Sequence, residues 1–231
     1  MKAMILAAGR GERMRPLTDH CPKPLLKVAG IPLIEHHINK LAQCGITDIV
    51  INFAWLGEMI SSYLGDGKKF GVNITYSPEK QGALETAGGI IQALPLLTNN
   101  NNNEPFLLIN SDVFTDFSFG EMPILADNCL AHICLVKNPE HNIKGDFIFD
   151  NNQLKNIEQQ ADSEVKKEFT YTFSGISIFR PIFFKNKNIA QSLKLGPMLK
   201  KAVNQGKVSA NILSCSWTDV GTPERLANLN K

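Results

Sequence analysis

The chain has 231 residues, 43% of them hydrophobic, enough to bury a full core and within the range of one α/β domain. Its 24 basic and 22 acidic residues are interspersed and leave a formal charge of +2, so no broad field draws it to nucleic acid or to an anionic membrane. Five cysteines without C-x-x-C spacing and five histidines without H-E-x-x-H spacing argue against a disulfide framework, a zinc ribbon or a histidine metal centre, and point to a reducing cytosol.

Met1-Lys2 and the apolar run Ala3 to Ala8 open like an export signal, but the run is too short. No stretch of about 18 apolar residues occurs elsewhere, so a cytoplasmic chain without a membrane span is expected. Met4 to Ala8 instead predicts a buried strand running into a glycine-rich loop. Ile34, Ile38, Leu41 and Ala42 follow at helical spacing, with Pro32 near the start and Gly45 after the end, and Ile49 to Ile51 gives the next strand. Leu56 to Leu64 predicts a second amphipathic helix closed by Gly65, Val72 to Tyr76 an alternating strand, and Thr86 to Leu94 a third helix. Asn99 to Asn103 reads as a solvated connector before the compact strand Phe106 to Ile109.

Alternation of strand and helix over residues 1–125 predicts a mostly parallel sheet with helices on both faces and a ligand site at the carboxyl ends of the strands. Over 126–231 the pattern turns strand-rich, at Leu130 to Val136, Phe147 to Phe149, Gln153 to Ile157 and Tyr171 to Phe179. A β-rich lid on the same domain is expected there, ending in a short helix capped by Thr222 with Pro223 at its first position.

Gly9-Arg10-Gly11-Glu12-Arg13 has glycines where a backbone turns sharply and approaches a phosphate. The dinucleotide fingerprint needs a third glycine at the position of Met14, so a Rossmann oxidoreductase loses its main support. The longer run through Met14-Arg15-Pro16-Leu17-Thr18 and then Pro22-Lys23-Pro24 resembles the signature of the sugar nucleotidyltransferases. The resemblance continues through Leu84 to Gly89, Asn110-Ser111-Asp112, Phe173 to Ile176 and Trp217 to Thr222, nearly the whole chain. It implies a single Rossmann-like, GT-A-like domain that joins a nucleoside monophosphate to a sugar-1-phosphate and releases pyrophosphate. The opening Met1 to Gly9, the short length and Ala54-Trp55-Leu56-Gly57 look like the uridylyl-transferring members of cell-wall recycling, which implies UTP and N-acetylmuramate-1-phosphate as substrates.

Nucleotidyl transfer needs the triphosphate held, its charge neutralised and its attacking and leaving oxygens aligned. Amides around Gly11 and Glu12 suit the phosphates, Arg13 the leaving pyrophosphate, and Lys23, braced by two prolines, the α-phosphate and the acceptor phosphate. Asp112 at a strand end and Asp219 in a polar turn are the carboxylates expected on Mg²⁺, a hard cation that prefers oxygen. That folding unites them is implied by the resemblance alone, as are Ala8, Gly9, Glu85, Thr86 and Gly88 on the nucleotide and Asn110, Gly145, Glu158 and Ser174 on the sugar. Many members carry glycine where this chain has Glu85, and the Glu-Lys pair of the larger thymidylyltransferases has no match beyond Glu158. Lys144, just before Gly145, is the expected cation for the carboxylate of a muramyl acceptor. Guanylyl or thymidylyl transfer to another hexose-1-phosphate, and a silent nucleotide-sugar-binding relative, are the alternatives. The chain is compatible with a monomer.

Overall fold

In the computed structural model, residues 1–79, 84–98, 103–159, 169–185 and 191–231 are described; four asparagines of the polar connector, 99–102, lie outside them. Adjacent side chains of a strand point to opposite faces, so a strand with helices on both sides has to be apolar throughout. The first strand, β1 (Ala3–Ala7), meets that demand: Ile5 enters the core formed with Ile34, Ile38, Leu41 and Ile60, whereas Met4 enters the core formed with Ala87, Ile90, Ile91 and Phe106.

A two-residue hairpin, β2 (Lys27–Val28) and β3 (Ile31–Pro32), leads into α1 (Leu33–Gln43), β4 (Asp48–Phe53), α2 (Gly57–Leu64), β5 (Asn73–Pro78), α3 (Glu85–Leu97) and β6 (Phe106–Asn110). The boundaries follow the predicted ones within a few residues. Strands β6, β1, β4 and β5 lie side by side and parallel. A short strand, β7 (Val113–Thr115), leaves the end of β6.

The second half holds β8 (Ala131–Val136), β9 (Phe147–Asp150), β10 (Gln153–Asn156), β11 (Thr170–Phe179), α4 (Leu195–Asn204), β12 (Val208–Ile212), β13 (Trp217–Asp219) and α5 (Pro223–Asn228). It is continuous with the parallel sheet. The ten-residue β11 is long enough to pair with β9 at Thr170 and Tyr171 and, antiparallel, with β6 from Ile176 to Phe179. β8 and β12 extend the same sheet beyond β11, so the expected lid reduces to the β9–β10 hairpin and α4 beside it. Helix α4 escapes sequence reading because Gly196 and Pro197 resemble a break, yet proline in a first turn forfeits only an amide that has no helical partner. The cap at Thr222 is as expected, its hydroxyl accepting from the Arg225 amide at 3.3 Å. Among the described residues no helix is long and apolar enough to cross a membrane.

One polar residue in the core has a measurable consequence. His37 on α1 is buried against Phe119, and both ring nitrogens lack a full hydrogen bond. Burial pushes its imidazole from 6.5 down to about 4, the Val113 backbone offsetting this only in part. Its folded value lies below the unfolded one, so its contribution to stability is complete above pH 6.5 and is lost as the pH falls towards 4. The loss amounts to roughly 3 kcal/mol. Thermal unfolding at pH 7 and at about pH 4.5 checks this: in His37→Leu the midpoint should fall less than in the wild type, and equal falls would show that His37 does not titrate with folding.

Candidate active site

The loop after β1 turns on Gly11, whose φ of +70° favours glycine and whose Cβ would lie 3.1 Å from Thr18 Cγ2. The Thr18 hydroxyl donates to the Gly11 carbonyl at 2.9 Å, and the Met14 amide donates to the same oxygen at 2.9 Å. A Cβ on Gly9 would meet no protein atom within 4 Å, so the fold itself does not demand glycine there. Arg10 stacks on Trp55 at 3.8 Å and donates to the Thr18 carbonyl at 2.8 Å, which Trp55 Nε1 also reaches at 3.0 Å. With its neighbouring cation thus committed to structure, Arg13 stands exposed and, among the described residues, without an ion pair.

This loop forms one rim of a cavity of about 480 Å³ at the carboxyl ends of β1, β4 and β6. Ala8, Gly9, Gly11, Glu12, Arg13, Lys23, Glu85, Thr86, Asn110 and Asp112 all line it. Lys23 Nζ donates to Asp112 Oδ2 at 2.5 Å, with only 11% of the lysine side chain exposed. Pairing of β7 with β13 sets Asp219 opposite Val113, and the Val220 amide donates to the Asp112 carbonyl at 2.7 Å. The two aspartates, 107 positions apart by subtraction of 112 from 219, thus sit on neighbouring strand ends. Asp219 Oδ1 accepts from Arg225 Nη1 and lies 2.9 Å from His141 Nε2. Gly221 leaves room for that arginine, since a Cβ would lie 2.6 Å from its Nη2. No cluster of three or more metal-binding side chains occurs among the described residues. Asp219 does not itself line the cavity, where its neighbour Gly221 stands; the bonds to Lys23, Arg225 and His141 use one oxygen of each aspartate, and the second oxygens suit a hard divalent cation that takes waters and phosphate oxygens for its remaining positions.

The opposite rim contains two residues that sequence reading missed. Asn52 is the penultimate residue of β4 and Glu79 follows β5, and both are nearly inaccessible. Asn52 Oδ1 accepts the Ala7 amide at 3.0 Å, its Nδ2 donates to Glu79 Oε1 at 2.7 Å, and Glu79 Oε2 accepts the Leu84 amide at 2.7 Å. Burial pushes the Glu79 carboxyl above the usual range, against the pull of the Leu84 amide and Asn52. Gly89 admits this network, because a Cβ would lie 2.4 Å from Glu79 Oε1. A polar residue closing the apolar run Ile49-Val50-Ile51 was the available signal. Gly88 does not line the cavity; it packs α3 on residues 191–193, where a Cβ would lie 2.4 Å from the Gln191 carbonyl.

A second cavity of about 530 Å³ adjoins the first and shares Glu85, Thr86 and Asn110 with it. Gly145, at φ +71°, turns the chain so that the next residue, Asp146, enters its wall. Glu158 is exposed and paired with Lys200 at 2.5 Å, and it is Lys200 that lines the cavity. Ser174 differs from expectation: it is fully buried, its Oγ accepting from the Ile176 amide at 3.2 Å and its carbonyl from Trp217 Nε1 at 2.9 Å. The neighbour Gly175, at φ +78°, instead makes room for Asn110. Lys144 also differs, being exposed and outside the cavity wall, whose cations are Lys194 and Lys200.

Residues 2–231 match the nucleotidyl transferase family. The chain is 50% identical over 234 residues to N-acetylmuramate alpha-1-phosphate uridylyltransferase of Neisseria meningitidis serogroup B, covering 98% of this chain and 95% of that protein. It is 33% identical to mannose-1-phosphate guanyltransferase 2 of Candida glabrata, of which it spans 62%. A solved structure described as a glucose-1-phosphate thymidylyltransferase from Bacillus anthracis superposes with a TM-score of 0.81 over 100% of this chain and 94% of its own, at 24% identity, so the fold is shared.

Glu85 is the strained point of the site. It opens α3 at φ +60°, a region that costs a residue with a Cβ about 1 kcal/mol or more. Replacing Glu85 with Gly should raise the unfolding midpoint by about 2–4 °C. A drop in the midpoint would show that the side chain itself holds the helix start.

Proposed function

Because the chain belongs to the nucleotidyl transferase family, we propose that it transfers the uridylyl group of UTP to N-acetylmuramate-1-phosphate with release of pyrophosphate. The observation that carries this reading is the pair of adjoining cavities, one rimmed by the phosphate-type loop with Arg13 and Lys23, the other walled by Phe147, Phe173 and α4. Their shared residues lie where a nucleotide and a sugar phosphate would meet. The guanyltransferase relative is matched over 62% of its length at 33% identity, whereas the match over 95% of the uridylyltransferase at 50% identity supports uridylyl transfer.

An oxygen of the acceptor phosphate attacks the α-phosphorus of UTP, the bond from that phosphorus to the bridging oxygen breaks, and the electron pair leaves with pyrophosphate. The nucleophile is already an anion, so no side chain has to remove a proton. Amides of Gly11 and Glu12 receive the phosphates, and the uncommitted guanidinium of Arg13 takes the charge that develops on pyrophosphate. Lys23 faces the α-phosphate and the incoming phosphate, oriented by Asp112. Asp112 and Asp219 would hold Mg²⁺, which supplies charge neutralisation of the triphosphate when bound. Ala8 and the start of α3 at Glu85 and Thr86 border the base, held apart by the Asn52–Glu79 network. Residues 1–231 act as one domain, in the cytoplasm, in keeping with five free cysteines.

Incubation with Mg²⁺, each of the four NTPs and a panel of sugar-1-phosphates, with pyrophosphate as the readout, should give the highest kcat/KM for UTP with N-acetylmuramate-1-phosphate. A higher value for GTP with mannose-1-phosphate overturns the reading. EDTA should stop turnover and added Mg²⁺ restore it. Asp112→Ala and Asp219→Ala should remove most activity from a folded protein, and Arg13→Ala should lose at least tenfold in kcat/KM, about 1.4 kcal/mol of transition-state stabilisation.

A further inference from the structure

The second cavity holds charges that differ in whether they are already used. Asp146 is spent on the fold: Oδ1 accepts from Asn142 Nδ2 at 3.1 Å and Oδ2 from the Phe173 amide at 2.9 Å. Lys200 is engaged by Glu158. Lys194, by contrast, is exposed, and its ammonium makes no hydrogen bond or ion pair among the described residues.

Its backbone is nevertheless fixed. The preceding Leu193 donates its amide to the Leu84 carbonyl at 3.0 Å, and its own carbonyl accepts from Ala87 at 2.9 Å and Gly88 at 3.2 Å. These bonds fix the backbone just before Lys194 against the start of α3, and Lys194 lines the second cavity but not the first. Lys194 is also the residue preceding α4, whose first turn has no side-chain cap and adds a partial positive charge on the same side. An unpaired ammonium at the mouth of a cavity with the apolar walls Phe147, Phe173, Leu195 and Leu199 is a group built to receive an anion.

The acceptor's phosphate belongs at Lys23, so the anion for Lys194 has to come from the sugar's other end. Given the muramyl acceptor proposed above, on which this assignment rests, we propose that Lys194 binds the carboxylate of the lactyl ether and thereby selects that sugar. A single ammonium on a flexible stem suits a carboxylate that rotates about its ether, and no bidentate fork is needed. Lys144, outside the wall, has no part in it.

The test compares N-acetylmuramate-1-phosphate with N-acetylglucosamine-1-phosphate, which has the same phosphate and lacks the lactyl group, at saturating UTP. Lys194→Met should raise KM for the muramyl substrate about five- to thirtyfold and leave that for the glucosamine substrate nearly unchanged. Lys194→Arg should recover most of the loss, Lys144→Ala should change neither KM, and the unfolding midpoint of each exposed-site variant should stay at the wild-type value. An equal loss on both sugars in Lys194→Met assigns the lysine to phosphate attraction and overturns the proposal while the acceptor reading stands. If the wild type does not use the muramyl substrate, the acceptor reading itself fails and takes the proposal with it.

Discussion

Everything in this site depends on where Asp112 is held. Its carboxylate takes the Lys23 ammonium at 2.5 Å, its carbonyl takes the Val220 amide at 2.7 Å, and it stands in the turn that joins the central β6 to β7. Three chain segments that are remote in sequence are thereby fixed to one strand end. A nearly buried ammonium without a partner is strongly disfavoured, so the lysine's place in the cavity wall depends on the aspartate beside it. The mixed sheet serves that placement: its apolar strands bring their carboxyl ends to a common edge, and loops from that edge carry the charges.

From this constraint the division of labour follows. Cations that stabilise the loops are paired, as Arg10 is with Trp55 and Thr18, and as Arg225 is with Asp219. Cations facing open space, Arg13 and Lys194, lack partners among the described residues. In the proposed function these two cavity-lining cations would meet the triphosphate and the acidic sugar. Holding one oxygen of Asp219 with Arg225 and His141 fixes its carboxylate in the way that outer partners orient metal-binding groups.

Much of the fold was legible because its first half obeys local rules. The periodicity of Ile34 to Leu41, the glycine at 45 and the apolar runs at Met4 and Phe106 are short-range signals, and α1, β1 and β6 follow them. The Gly11 turn and the Thr222 cap were equally local. What was hidden depends on partners far along the chain. Ser174 looks like a polar strand residue open to ligand, but the bulge in β11 and Trp217 bury it. Lys144 precedes Gly145 in sequence, yet the turn at that glycine sends Asp146 rather than the lysine to the cavity. Asn52 and Glu79 form a single unit only because β4 and β5 are neighbours, a pairing that no local pattern states.

The central claim is direct displacement at phosphorus, in which the protein supplies charge and alignment and forms no bond to the nucleotide. The most direct measurement is the configuration of the product made from UTP in which sulfur replaces one non-bridging α-oxygen, so that the α-phosphorus is a stereocentre of known configuration. A single in-line displacement predicts inversion at that phosphorus. Retention would mean two successive displacements through a covalent enzyme intermediate, and would contradict a site in which Arg13, Lys23, Asp112 and Asp219 act by position and charge alone.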